Sequence, residues 1–191
     1  MRIQSIFAFA AALAILAPAV ASAEEIPGVT IDSSISRQAV SDHLNQTAEQ
    51  LQTAFSPDAT DARLIVSAQR AYDMALKSWL RNDYVPAEDY ARAADVLLSA
   101  SNATGRGTSD EAYDATGKLV SNLNPASALW LNAFASDLYS RALKARESDP
   151  QTAALDLVRA AGVARASELA SLATSGSPVA EPVIPASPAL L

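Results

Sequence analysis

Apolar residues recur at three- and four-residue steps through most of this chain, from about residue 34 to residue 173. This spacing places them along one face of an α-helix rather than on alternate faces of a strand. Capping residues, prolines and glycines divide the region into six helical segments, at about 35–55, 57–80, 86–101, 109–123, 125–146 and 150–173. The pattern predicts an all-α fold with a single domain of about six helices.

The same periodicity predicts which positions face the core. These positions are Val40, Leu44, Thr47, Ala48, Leu51 and Phe55 in the first helix, Ile65, Ala68, Tyr72, Ala75 and Trp79 in the second, Tyr90, Ala91, Ala94, Leu97 and Leu98 in the third, and Trp130, Phe134, Leu138 and Ala142 in the fifth. Gly162 interrupts the sixth helix, where glycine costs about 1 kcal/mol relative to alanine. It therefore marks either a close helix crossing or a weak point.

The second and third helices resemble the fifth and sixth in sequence. Residues 68–101 align without a gap on residues 135–168, a shift of 67 positions (135 minus 68). The identical pairs are Ala68/Ala135, Tyr72/Tyr139, Ala75/Ala142, Leu76/Leu143, Lys77/Lys144, Ala87/Ala154, Asp89/Asp156, Arg92/Arg159, Ala93/Ala160, Ala94/Ala161 and Val96/Val163. The match predicts a duplicated α-helical hairpin. A weaker match of the first and fourth helices extends the unit to three helices, with halves of about 34–101 and 109–173.

The hairpin also carries features of a known repeat. Ala75 occupies a small-residue position of the first helix, Asn82-Asp83-Tyr84 forms the turn, and Ala87 and Ala94 lie in the second helix. In these features it resembles the tetratricopeptide repeat, which implies helical hairpins that bind peptides or partner proteins. The chain departs from that family where Asn82 replaces a glycine, where Ala91 replaces a large aromatic residue, and near Ser101, where a closing proline is missing. The resemblance transfers no ligand-contacting residue.

The two ends of the chain differ from this helical region. Residues 1–23 have a positive Arg2, an apolar run and a small-residue Ala21-Ser22-Ala23 site, which predict a secretory signal peptide cleaved after Ala23. The mature protein is therefore expected in the periplasm or, alternatively, secreted. Residues 24–33 are expected to be an extended lead-in, and residues 174–191, rich in Pro, Ala and Ser, a disordered tail.

Composition narrows the possible functions. The 191 residues include no cysteine, which excludes disulfides and thiolate chemistry. A formal net charge of −7 disfavours nucleic acid and anionic membrane surfaces as partners, because both are bound chiefly through Lys and Arg. We also expect no membrane insertion of the mature chain.

No catalytic, cofactor-binding or metal-binding residue is predicted. His43, the only histidine, lies beside the apolar stripe of the first helix, and we expect a partly exposed residue without a catalytic role, because no converging carboxylate and nucleophile are evident. Acidic residues precede basic ones by four positions at several places, which is typical of a solvated helix face. These pairs are Asp73/Lys77, Glu88/Arg92, Asp114/Lys118 and Asp137/Arg141.

Aromatic residues supply the remaining candidates. Trp79 and Tyr84 have no aromatic counterparts at the equivalent positions Arg146 and Gln151. An aromatic residue found in one copy only is a better candidate for a binding surface than for the shared core. We therefore predict a non-enzymatic module that binds a protein or peptide partner, with Trp79, Tyr84, Tyr90 and Trp130 as the candidate contact residues. The alternatives are a small-ligand slot lined by Trp79, Tyr90 and Trp130, and an enzyme using carboxylates alone.

Overall fold

The structure, a computed structural model, describes residues 36–54, 58–105 and 108–175. Within these ranges the secondary structure contains six helices and no strand, which confirms the all-α prediction. The helices are α1 (Arg37–Thr53), α2 (Ala59–Leu80), α3 (Tyr84–Ser101), α4 (Asp110–Ser121), α5 (Leu129–Ala145) and α6 (Pro150–Ser175). None of them is long and apolar enough to cross a membrane. The predicted leader, the lead-in and nearly all of the predicted tail lie outside the described residues.

Side-chain caps fix where several helices begin. The Ser36 hydroxyl accepts a hydrogen bond from the Ala39 amide at the start of α1, and the Asp58 carboxylate accepts one from the Thr60 amide at the start of α2. Each cap satisfies an amide that has no partner inside the helix. Each of the two helices begins two residues later than the sequence pattern predicted, at Arg37 and at Ala59.

The start of α5 differs most from the sequence-based prediction. We expected this helix to begin at Pro125, but it begins at Leu129. The Asn124 side chain accepts a hydrogen bond from the Ala126 amide at 3.0 Å, which closes a local turn in place of the first helical turn. Ala128 then adopts a left-handed conformation with φ of 45°, and this interrupts any helix that passes through it.

The third and sixth helices occupy the centre of the described fold. α3 packs against α1, α2 and α6, while α6 packs against α3, α4 and α5. α3 buries ten of its eighteen residues, and α6 buries twelve of twenty-six. The buried residues include Ala68, Tyr72, Ala75, Tyr90, Ala91, Ala94, Leu97, Leu98, Phe134, Leu138 and Ala142, all of which the periodicity assigned to the core.

Gly162 lies where the two central helices approach each other. A Cβ atom added at this position would be 2.8 Å from the Cβ atom of Ala100. Non-bonded carbon atoms ordinarily stay about 3.5–4.0 Å apart, so only glycine permits this approach. Of the two interpretations left open by the sequence, the structure therefore supports a close helix crossing.

Candidate functional site

The turn between α2 and α3 is closed by a Schellman motif. The Asn82 amide donates to the carbonyl of Trp79 at 2.9 Å, and the Asp83 amide donates to the carbonyl of Ser78 at 3.0 Å. These bonds satisfy carbonyl groups that the end of α2 leaves without helical partners. Asn82 has a φ of 63°, in the left-handed region that asparagine enters more readily than most residues. The hydroxyl of Tyr84 donates to the Asn82 side-chain oxygen at 3.0 Å and so links the turn to α3.

Four apolar or aromatic residues flank this turn. We refer to Trp79, Leu80, Tyr84 and Val85 as the α2–α3 tip. Leu80 is 72% exposed and Val85 is 54% exposed, while Trp79 and Tyr84 are partly buried. Single exposed apolar residues are common on protein surfaces, but four within seven positions of one turn form a local apolar patch. Two of the four are the aromatic residues that the sequence singled out.

The equivalent turn of the second hairpin is polar. At the shift of 67 positions the four tip residues correspond to Arg146, Glu147, Gln151 and Thr152, all of which are exposed. Asp149 closes this turn by accepting hydrogen bonds from the amide and the hydroxyl of Thr152, at 3.1 and 2.6 Å. The two hairpins therefore present ends of different character, one apolar and one charged.

Tyr90 and Trp130, the other two candidate contact residues, are not part of the α2–α3 tip. Tyr90 is a buried residue of the core. Trp130 packs beneath Arg70, whose guanidinium carbon is 4.7 Å from the centre of the indole ring. Arg70 precedes Trp79 by nine residues of α2, a distance of about 13.5 Å along a helix axis. The structure therefore brings Trp79 and Tyr84 together but does not place Trp130 beside them.

The alternative of a small-ligand slot depended on a space lined by Trp79, Tyr90 and Trp130. A shallow depression of about 280 Å³ lies between the C-terminal ends of α1 and α3. Its lining consists of Gln50, Thr53, Ala54, Leu98 and Asn102, so none of the candidate aromatic residues contributes to it. The lining is mostly polar, whereas small-molecule sites are mostly apolar.

His43 joins α1 to α3 through two carboxylates. Its Nδ1 atom is 2.9 Å from Oε2 of Glu88, and its Nε2 atom is 2.6 Å from Oδ2 of Asp95. The hydroxyl of Thr47, one turn further along α1, is 2.9 Å from the other oxygen of Asp95. Arg92 donates to the other oxygen of Glu88 at 2.9 Å. We refer to His43, Glu88 and Asp95 as the α1 clamp.

The clamp favours the charged form of the histidine. Burial alone would lower the pKa of His43, but its hydrogen bonds to Asp95 and Glu88 and the negative charges of both groups raise that pKa above the ordinary value of 6.5. The doubly protonated ring is the form that donates from both nitrogens. The hydroxyl of Thr47 belongs to a fully buried residue and bonds to Asp95 or to the His43 carbonyl instead of the ring. The geometry is that of an ion pair between helices and supplies no activated nucleophile.

Sequence reasoning missed this clamp because its members are distant in the chain. His43 precedes Glu88 by 45 positions and Asp95 by 52 positions. One signal was available in the sequence. Glu88 and Asp95 are separated by seven residues, or two helical turns, so they lie on the same face of α3. Two acidic residues on one face of an apolar helix predict a cationic side chain opposite them. His43, the only histidine of the chain, was a candidate for that side chain.

A second charged cluster ties α2 to α5 and α6. The buried guanidinium of Arg159 pairs with Asp61 and lies 3.7 Å from Asp58, while Arg141 pairs with buried Asp156 at 3.1 Å. Burial raises the pKa of Asp156, and the nearby Arg141 and Arg159 oppose that rise. The Nε atom of Arg159 is buried without a hydrogen-bond partner. These contacts hold the N-terminal end of α2 against the second hairpin.

Comparison of the chain with protein families, with curated proteins and with solved structures finds no match. Among the described residues, no group of three or more His, Asp or Glu side chains is placed to hold a metal ion. A proposal for the function therefore depends on the geometry of this chain's own side chains.

Proposed function

We propose that this protein is an exported, non-enzymatic helical module that binds a protein or peptide partner through the α2–α3 tip. The observation that carries the proposal is the contrast between the two hairpin ends. One end exposes Leu80 and Val85 beside two aromatic side chains, whereas the four equivalent positions of the other end expose polar and charged residues. If both ends served only to turn the chain, water would favour polar residues at both.

The composition of the tip suits recognition of another polypeptide. Tryptophan, tyrosine and arginine dominate the residues that contribute most to protein interfaces, usually within a ring of less important contacts. The tip offers Trp79 and Tyr84 at its centre, with Arg81 in the intervening turn. The Schellman motif fixes the backbone of this turn, so little conformational freedom would be lost on binding.

The duplication and the location belong to the same proposal. We infer that the α2–α3 and α5–α6 hairpins descend from one tetratricopeptide-like unit, which α1 and α4 extend to three helices. In support, α1 contacts both helices of the first hairpin and α4 contacts both helices of the second. The leader predicted at residues 1–23 places the mature protein in the periplasm, with secretion as the alternative.

A double substitution tests the tip while preserving the fold. Leu80→Glu with Val85→Thr gives the first hairpin the residues found at the same places in the second, namely Glu147 and Thr152. Because both side chains are exposed, helicity measured by circular dichroism should not change. Capture of a partner from a periplasmic extract should fall at least about tenfold, which corresponds to about 1.4 kcal/mol of binding free energy.

The matched control makes the same two kinds of change elsewhere. Leu129 and Val66 are each 65% exposed and lie outside the tip, so Leu129→Glu with Val66→Thr should leave capture intact. Undiminished capture by the tip variant, or an equal loss in the control variant, would contradict the proposed function.

A further inference from the structure

The first helix covers part of the α2–α3 tip. The guanidinium of Arg37, the first residue of α1, lies 5.4 Å from the centre of the Trp79 ring. The indole Nε1 atom of Trp79 is buried without a hydrogen-bond partner. An unsatisfied buried donor is unfavourable in the closed state, and it would gain a partner as soon as water or a ligand reached it.

The attachment of α1 is less extensive than that of the central helices. α1 buries four of its seventeen residues, and its first three residues are all exposed. The α1 clamp lies two turns beyond Arg37, with His43 bonded to Glu88 and Asp95 of α3. In the N-terminal half of α1 only Val40 and Leu44 are buried apolar residues, and this ionic contact adds to the attachment that they provide.

We propose that His43 is a proton-operated latch, which keeps α1 over Trp79 while its ring is charged and lets the N-terminal end of α1 open when the ring is neutral. The consequence for partner binding depends on the proposed function of the tip, but the latch itself does not. The opening would expose Trp79 and its Nε1 atom at the surface that we propose for the partner.

The chemistry follows from the two bonded nitrogens. A neutral imidazole has one N–H group, so it can donate to Glu88 or to Asp95 but not to both. The other nitrogen then turns a lone pair towards a carboxylate oxygen, and the attraction between opposite charges is lost at the same time. The clamp changes from one cation between two anions to two anions beside a neutral ring.

The charges around the ring also favour its protonated form. Among the described residues, the charged groups that act on the ring are Glu88 and Asp95 of α3, and no charged group of α1 or α2 adds to them. Arg92 holds the far oxygen of Glu88 and so positions that carboxylate without contacting the ring. Asp42, next to His43 in sequence, accepts from Gln38 on α1.

These contacts set the direction of the pH dependence. The pKa of His43 is raised in the folded protein above 6.5, its value in an opened segment. The latch is therefore at full strength below pH 6.5, and it weakens as the pH rises from there through the raised pKa. Within that window the ratio of closed to open α1 should fall tenfold for each pH unit.

Tryptophan fluorescence measures the latch without any partner. In full-length protein carrying Trp130→Phe, Trp79 is the only indole, and acrylamide quenching reports its accessibility. Quenching should increase with pH, with a midpoint above 6.5. The proton NMR signal of the only histidine should titrate with the same midpoint.

Variants separate the latch from general loosening. In the Trp130→Phe background, Asp95→Asn should move the midpoint towards lower pH, and His43→Gln should abolish the transition. Asp42→Asn removes a neighbouring carboxylate that does not face the ring, so it should leave the midpoint unchanged.

Three results would overturn the latch: the same transition in His43→Gln, a midpoint below 6.5, or constant quenching while the histidine signal titrates. If His43→Gln fails to fold by circular dichroism, the shift in Asp95→Asn decides. Loss of partner capture in the tip variant is measured separately, so failure of the latch and failure of the proposed function are distinguishable.

Discussion

Replacing Gly162 by alanine tests the crossing of the two central helices. Alanine is favoured over glycine in a helix by about 1 kcal/mol, so propensity alone predicts a more stable protein. The structure predicts the opposite, because the new Cβ atom would be 2.8 Å from Ala100 Cβ, which no rotamer change can move away. Overpacking of this kind costs about 1–3 kcal/mol, so we expect a net loss of about 1 kcal/mol.

A double-mutant cycle isolates the steric term from helix propensity. Ala100→Gly alone should destabilise by about 1 kcal/mol, since it places a glycine inside α3. The combination with Gly162→Ala transfers the glycine from one helix to the other and removes the clash. Its stability should be within about 0.5 kcal/mol of the parent, which gives a coupling energy of about 1–3 kcal/mol between the two sites.

Urea denaturation followed by circular dichroism measures all four proteins. For a domain of this size, 1 kcal/mol corresponds to about 2–4 °C in thermal midpoint, so heating offers an independent check. The proposed clash is refuted if Gly162→Ala stabilises the protein by the full propensity difference, or if the coupling energy is below about 0.5 kcal/mol.

Two further substitutions test the turn and the ionic cluster. Asn82→Ala should destabilise the protein by about 1 kcal/mol in a denaturation experiment, because alanine resists the left-handed conformation of this residue. Asn82→Gly should be neutral or slightly stabilising, since glycine adopts that conformation freely. Equal losses in both variants would mean that the backbone angle φ is not the cause. Asp61→Asn should lower the free energy of unfolding by about 3 kcal/mol, because it removes a carboxylate from buried Arg159. The control Asp137→Asn, in an exposed pair with Arg63, should lower it by less than about 0.5 kcal/mol. Similar losses in both variants would show that the burial of Arg159 does not determine the loss.

The helices could be predicted from sequence because their signal is local. Apolar spacing of three and four residues depends only on the geometry of a single helix, and the predicted core positions of α3 are all buried. The predicted start of α5 at Pro125 was wrong because the side chain of Asn124 competes with the helix for the Ala126 amide. Apolar periodicity does not register such competition between a side chain and the helical backbone.

The charged pairs show the limit of local reasoning. The spacing Glu88/Arg92 does give a pair within one helix, at 2.9 Å. Asp137 and Arg141 have the same spacing, but they turn to other helices, where Asp137 meets Arg63 at 3.6 Å and Arg141 meets Asp156 at 3.1 Å. A partner on a neighbouring helix can be chosen only once the helices are packed, and the contacts of His43 were missed for the same reason.

One identical pair in the hairpin alignment, Arg92/Arg159, bears on whether the hairpins share an origin. The shared alanines have a physical explanation in each hairpin, because close packing of two helices requires small residues wherever it occurs. Arg92 and Arg159 have no such common explanation. Arg92 is largely exposed and pairs with Glu88 of its own helix, whereas Arg159 is buried and pairs with Asp61 of α2. Packing therefore does not account for an arginine at both places, whereas the duplication that we propose would account for it.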